Sequence, residues 1–385
     1  MSKSPSIGKA ALAAVGAIVG SLATVNAVAA APGYTFTALG IPSGYSNSDA
    51  TGINDSGQIT INAENPTSTS NLSTAFEYSG GNFSQLPMPA GALGSYADGI
   101  NKFGVVVGSY YTGLTQNNSS LWYPYTYTGG STTSLPAYDS QPPTDGFAIN
   151  SSGTIAGTSQ SAGYGGYRAF TYSSSSGFTT LGSLKSSEYR DAALAINDSG
   201  TSAGYSSTVN GHEAVVWNAT GQATSLGFLP NAKFTSSAAT AINSAGTVVG
   251  QSGSSSGTYD AFIYASGGTM QDLGNLGGGT YASGVNNSDV VVGYGQTSNS
   301  RGAAFAAWVD IAGTMYNLND LTFLPTGWTL VGASAINNNG DIVGYGTNAN
   351  GQMEAFMLTP TPEPAALSLM VMGGLLVGVR RRRSN

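Results

Sequence analysis

The sequence predicts an all-β repeat protein, a seven-bladed β-propeller of four-stranded blades, with an N-terminal signal peptide before it and a short C-terminal hydrophobic helix after it. Three observations lead there. An Ile-Asn or Val-Asn pair returns seven times, at Ile53-Asn54, Ile100-Asn101, Ile149-Asn150, Ile196-Asn197, Ile242-Asn243, Val285-Asn286 and Ile336-Asn337, with a period near 47 residues. Glycine is abundant, at 55 of 385 residues, and only 8% of the chain is charged while 41% is hydrophobic. That composition suits many short strands joined by Gly, Ser and Asn turns, and it excludes a charged disordered chain. Finally, two further strand signals recur in step with the Asn pair.

The Asn pair marks a turn. Three residues after each Asn stands Gly57, Gly104, Gly153, Gly200, Gly246 or Gly340, with Asp289 as the exception. Asn-x-x-Gly between two β-rich runs is hairpin chemistry, in which the Asn side chain caps the turn and Gly takes a positive φ that a Cβ resists. Asp tolerates that region better than most residues, so Asp289 fits the same place. An apolar strand follows, usually read as ending in Gly, as in Val105-Val106-Val107-Gly108, Val248-Val249-Gly250 and Ile342-Val343-Gly344.

The other two signals are an aromatic strand and a Leu strand. The first is read at Ala75-Phe76, Pro124-Tyr125, Ala169-Phe170, Ala214-Val215, Ala261-Phe262, Ala304-Phe305 and Ala355-Phe356; the second at Leu39, Leu86, Leu135, Leu181, Leu226, Leu273 and Leu318. Four short strands per repeat is the content of one blade. The repeat domain, residues 33 to 359, enters on a Leu strand (Tyr34 to Leu39) and leaves on an aromatic strand (Phe356 to Leu358). Two incomplete end blades therefore add up to one whole blade, which closes a ring and hides edge strands. A β-solenoid is the rival, because 47 residues also make two or three coils.

The ends carry export signals. Residues 1 to 29 hold Lys3 and Lys9, an apolar run from Ala10 to Val25 and the small-x-small site Ala27-Val28-Ala29, the pattern of a cleaved secretory signal peptide. At 362 to 385, Pro362-Glu363-Pro364 precedes fifteen uncharged residues, Ala365 to Val379, and then Arg380, Arg381, Arg382 and Arg383. As a helix that run spans about 22 Å, short of a hydrocarbon core of about 30 Å. Arginines stay on the cytoplasmic side, so the segment stalls in the inner membrane with the body outside. These three ordered elements resemble the PEP-CTERM sorting signal. The resemblance implies a Gram-negative, exopolysaccharide-producing cell, an exosortase that removes the tail near Pro362 to Pro364, and a product secreted or held at the cell surface.

The repeats resemble the extracellular HAF-repeat family, whose units read roughly His-Ala-Phe, Leu-Gly-x-Leu-Gly-Gly and Ala-x-x-Ile-Asn-x-x-Gly-x-Val-Val-Gly. The best match runs from Asp260-Ala261-Phe262 through Leu273-Gly274-Asn275-Leu276-Gly277-Gly278 to Val285-Asn286 and Val291-Val292-Gly293. The family's His is missing throughout; Thr74, Arg168, Glu213, Asp260, Ala303 and Glu354 stand in its place. The resemblance thus implies a fold and a location more than an activity.

Chemistry is sparse in this sequence. Cys is absent, which removes disulfides and thiolate metal sites. The single His212 precedes an aromatic-strand motif and reads as a surface or strand-edge residue. Asp49, Asp98, Asp145 and Asp191 each precede an Ile-Asn turn by a few residues. Glycoside hydrolysis needs two such acids ~5–10 Å apart, but a repeat arrays side chains at equal places whatever their use, so they read as solvated rim acids. The turns Asn54-Asp55-Ser56-Gly57, Asn197-Asp198-Ser199-Gly200 and Asn337-Asn338-Asn339-Gly340-Asp341 offer oxygens and a Gly but lack the acid spacing of a calcium loop, so no metal or cofactor is expected. Leader and tail hold six of the 12 basic residues and one of the 19 acids, leaving the body with a net charge of −12, which argues against nucleic acid and anionic lipid as partners. The expectation is a non-enzymatic scaffold or binding module at the cell surface or in the extracellular matrix, associated with exopolysaccharide. A polysaccharide-active hydrolase or lyase on the same propeller is the alternative.

Overall fold

Seven four-stranded antiparallel sheets form a closed ring in the computed structural model of the chain. It describes residues 33–361 apart from 67–71, 115–119, 137, 139–142, 161–165, 186–189 and 210. The leader, residues 1 to 29, and the tail, residues 362 to 385, lie outside the described residues. Each blade begins with an inner strand: Asn47–Ile53, Gly94–Ile100, Pro143–Ile149, Ala192–Ile196, Ser237–Ile242, Thr280–Val285 and Thr329–Ile336 for blades 1 to 7. The inner strands touch their neighbours all the way round, so they wall a central channel. Blade 7 is the composite one: the first strand, Tyr34–Gly40, is its outer edge and pairs with the last, Met353–Pro360, with Ala38 opposite Phe356. The ring excludes the solenoid, since a stack has no contact between its first and last repeats.

The core lies between blades rather than within them. Ile59, Ile61 and Phe76 of blade 1 pack with Leu39, Val343 and Ala355 of blade 7, and Trp217 and Val215 of blade 4 pack with Ala169 and Leu181 of blade 3. Each blade lacks a core of its own, so stability comes from completing the ring. Small residues let the inner strands converge: Ala50, Ala97, Ala193, Ala239, Ala282 and Ala333, each four residues before its ring Asn, are essentially buried.

Two readings of the strands are corrected by the packing. The apolar strand does not end at its Gly; Val248–Gly253 and Ile342–Thr347 run on past Gly250 and Gly344. A Cβ on those two glycines would sit 2.0 Å from the Ala238 and Gly332 carbonyl oxygens of the inner strand. The Gly permits a close approach rather than a turn. In blade 6 the aromatic position is Ala307-Trp308, not Ala304-Phe305: Trp308 faces Gly293 as Phe262 faces Gly250, and Leu318 donates its amide to Ala307 O as Leu273 does to Ala261 O. Trp308 is fully buried while Phe305 is 38% exposed, so the larger gain in apolar burial sets the register. The place of the family's His is consequently Ala306 there, not Ala303.

All seven inner strands carry a β-bulge at the same place, three residues before the ring Asn. The bulged residue is Thr51, Asp98, Phe147, Leu194, Thr240, Ser283 or Ser334. Bulges re-aim a side chain. Here the hydroxyls of Thr51 and Thr240 reach the next blade's Ala97 and Ala282 carbonyls, each at 2.7 Å.

Candidate functional site: the central channel

At one mouth the seven ring asparagines form a closed hydrogen-bonded circle. Each Asn Oδ1 accepts amides two and four residues on, as in Ser152 and Thr154 onto Asn150. The turn glycines have φ between 75° and 85°, and Asp289 has 57°. Each Asn Nδ2 then donates to the backbone carbonyl of the next blade's Asn: Asn54 to Asn101, Asn101 to Asn150, Asn150 to Asn197, Asn197 to Asn243, Asn243 to Asn286, Asn286 to Asn337 and Asn337 back to Asn54. Asn is the residue that does both, because one amide group offers an acceptor and two donors. Sequence reasoning found the cap and missed the circle, whose partners lie one repeat away.

A second, partial circle lies outside it. The residue after the ring Asn caps the preceding blade's amide where it is Asp or Asn: Asp198 for Ser151, Asn287 for Ser244, Asn338 for Asn287 and Asp55 for Asn338. Lys102 has only donors and instead reaches Asp198, at 3.6 Å. The Ser151 hydrogen bonds hold the Asp198 carboxyl below its usual pKa, helped by Lys102. These turns border a cavity of about 220 Å³ lined by Ile53, Ile100, Ile242, Ile336 and the ring asparagines Asn54, Asn197, Asn243, Asn286 and Asn337. The turn oxygens that resemble calcium ligands are thus occupied by protein donors.

Further down the channel the acids come together. Asp49 and Asp145 lie five residues before their ring Asn, and Asp98, between them in the ring, is the bulged residue of blade 2. All three are partly accessible through the channel. They are not solvated rim acids. Burial pushes Asp49 and Asp145 up to about 6. Asp98 is raised well above the carboxylate range by burial, then by the negative charges of Asp145 and Asp49. Asp191 does not join them: it is buried and bonded by Ser206 Oγ (2.7 Å) and the Ser207 amide (3.0 Å). It holds the place, six residues before the ring Asn, where Ser48, Ser95, Ser237 and Thr280 instead accept the amides of Ala355, Ala75, Ala214 and Ala261 of the preceding blade. Those blade-to-blade bonds also escaped sequence reasoning, as lone hydroxyls carry no signal.

Tyrosines line the other side of the channel. Tyr281 occupies the same register as Asp49 and Asp145 and stacks on Tyr294, with centroids 5.1 Å apart and planes 17° apart. In blade 7 that register is Gly332, and the Tyr345 ring lies over it, 2.7 Å from where a Cβ would stand. Tyr345 is raised by burial, then by Tyr294 and Asp49, which ties the tyrosine side to the acidic side. His212 stands 4.9 Å from Tyr205 in blade 4 and is lowered by burial and then by Arg190. Among the described residues no three acids or His stand close enough to hold a metal ion.

These features define a closed seven-bladed β-propeller. No protein-family model and no curated protein matches the chain. Solved structures do, at the level of fold: the β-propeller domain of the Trilobed protease from Pyrococcus furiosus, described as having an open velcro topology, is 8% identical with a TM-score of 0.51, covering 82% of this chain and 93% of that one. A TolB from Agrobacterium tumefaciens is 13% identical at a TM-score of 0.41, over 83% and 91%. A puromycin-hydrolysing peptidase from Mycobacterium tuberculosis is 10% identical at 0.47, over 86% and 56%. Unlike the open velcro of the first, this ring is latched by Tyr34–Gly40.

Proposed function

We propose that the protein is an exported cell-surface or extracellular-matrix component that works without catalysis, as a rigid binding scaffold associated with exopolysaccharide. The observation that carries this reading is the Asn circle: the side-chain amides of all seven ring asparagines are spent on one another's turns, which suits a platform whose shape must hold without a cell around it. The leader ending at Ala27 and Ala29, the Pro362-Glu363-Pro364 to Arg383 tail, and the −12 body support the location, with an exosortase-type enzyme as processing partner. A glycan array and a pull-down with the producing cell's own exopolysaccharide test it; retention of polysaccharide is expected, and blank results in both sink the binding role.

The second reading, a polysaccharide hydrolase or lyase, is favoured by one observation: Asp98 is raised by burial and by the charges of Asp145 and Asp49, which sets it apart from those two carboxyls as an acid is set apart from a base. Incubation with the polysaccharide separates the two. New reducing or unsaturated ends that vanish in Asp98→Asn establish catalysis, and their absence at full binding leaves the scaffold.

A further inference from the structure

We infer that the cavity bordered by the Asn turns takes the end of a neutral polysaccharide chain, one sugar ring with its hydroxyls on three open backbone amides. This rests on the binding-module reading and names its ligand chemistry and its mode of capture.

The outer circle of caps is broken at three places. In blades 3, 5, 6 and 7 the amide after the ring Asn is capped by Asp198, Asn287, Asn338 and Asp55. In blades 1, 2 and 4 the next blade offers Lys102, Ser151 and Ser244 instead. Lys102 has no acceptor, and the two serine hydroxyls turn the other way, to Asp198 and Asn287. Among the described residues the amides of Asp55, Lys102 and Asp198 therefore have no acceptor. The turns that hold them are built like that of Asn150: Asn54, Asn101 and Asn197 each accept the amides two and four residues on. The open amides thus keep the orientation of the capped ones, and all three residues line the cavity.

The remaining lining selects the ligand. Its apolar part comes from Ile53, Ile100, Ile242, Val285 and Ile336, and its charges from Asp55 and from Lys102 paired with Asp198 at 3.6 Å. Phe103 is 70% exposed, with its ring centroid 5.2 Å from the Lys102 ammonium. An anion meets Asp55, Asp198 and a body of charge −12. An ammonium brings no lone pair for the amides, and a purely apolar group brings none either. A sugar hydroxyl accepts from an amide and donates to a carboxylate at once, while the C–H face of the ring suits the isoleucines and the exposed Phe103.

Size and surroundings set the mode of capture. The cavity, about 220 Å³, is below the ~300–1,000 Å³ of pockets that hold drug-sized ligands, so one ring enters rather than a stretch of chain. Turns of six of the seven blades border it, which leaves a chain no path across and admits it by its end.

The test is calorimetric titration of the full chain with the neutral fraction of the producing cell's exopolysaccharide, intact and after partial acid hydrolysis to oligosaccharides. Per gram of carbohydrate, the hydrolysate is expected to saturate more protein, in proportion to its chain ends; equal capacity overturns the end-on mode. The double variant Lys102→Asn, Ser244→Asn supplies the missing caps to the Asp55 and Asp198 amides, as Asn338 caps Asn287. It is expected to melt higher than the parent and to bind the oligosaccharides at least tenfold more weakly. Phe103→Ala is expected to weaken them at least threefold with the melting temperature unchanged. Full affinity in both variants overturns the site, and tighter binding of the anionic fraction than of the neutral one overturns the ligand assignment. The two proposals fail separately. Polysaccharide capture that survives both variants sinks this site and leaves the scaffold reading, whereas oligosaccharide binding without capture of the native polysaccharide does the reverse.

Discussion

Asn337 donates its side-chain amide to the backbone carbonyl of Asn54 at 3.1 Å, across 283 residues of chain, and so closes the circle that six shorter links begin. The same seam is held by the Ser48 hydroxyl on the Ala355 amide and by Tyr34–Gly40 along Met353–Pro360.

The circle and the cap are separable at Asn150. Asn150→Ala removes both and leaves the half-buried turn amides and the Asn197 carbonyl without this partner, which is expected to cost ~2–3 kcal/mol. Asn150→Asp keeps the acceptor for Ser152 and Thr154 but loses the donor to the Asn197 carbonyl. It is expected to fall between the alanine variant and the parent in thermal melting. A melting temperature equal to the parent's would show that the circle contributes nothing.

The two kinds of glycine differ in the same way. Gly153, at φ 79° with open space around it, becomes Ala at a cost of ~1–2 kcal/mol from the left-handed backbone alone. Gly250→Ala drives a Cβ to 2.0 Å from the Ala238 carbonyl oxygen and is expected to lose ~3 kcal/mol. Denaturant midpoints of the two variants give the order; the reverse order contradicts the close-approach account.

Removing residues 33 to 40 unlatches the ring. It exposes the Met353–Pro360 edge and takes Leu39 out of the cluster with Ile61, Phe76 and Val343, so association through the bare strand is expected. Size-exclusion chromatography and limited proteolysis report it. A monomer as protease-resistant as the parent would mean that closure is dispensable.

Mild acid should stabilise this protein. Burial raises Asp49 and Asp145 in the folded state to about 6 from the ordinary carboxylate value of 3.8, so the folded state binds their protons more tightly than the unfolded state. Their contribution is fully present below about pH 4 and is lost as pH rises through about 6. Two units correspond to about 2.7 kcal/mol per group at the upper limit, reduced by the water that reaches them through the channel. The melting temperature is therefore expected to be higher at pH 5 than at pH 7.5, with the difference shrinking in the Asp49→Asn, Asp145→Asn double variant. A steady fall from pH 7.5 to 5 in the parent contradicts the burial of the pair.

The proposed sorting tail has a mass signature. Secreted material is expected to end near Pro364 and to lack Arg380 to Arg383, and replacing those four arginines is expected to misroute the precursor because the positive-inside anchor is lost. Intact-mass measurement decides it: released protein with its full C-terminus refutes exosortase processing.

The sequence by itself determined the period, the four strands per repeat, the Asn-x-x-Gly turns and the phase that makes one blade from both ends. Each of these is local chemistry repeated, and repetition amplifies a weak signal until it is legible. Position in the ring was left to the tertiary structure. Ala304-Phe305 and Ala307-Trp308 satisfy the same pattern, and only burial of Trp308 between blades chooses between them. Asp49, Asp98, Asp145 and Asp191 look alike in sequence, yet three meet in the channel while the fourth is tied to Ser206 and Ser207. The reason is that a side chain's neighbours here belong to the adjacent blade, some 47 residues away, and the bulge that aims Asp98 arises from how two strands pair, which no local spacing records.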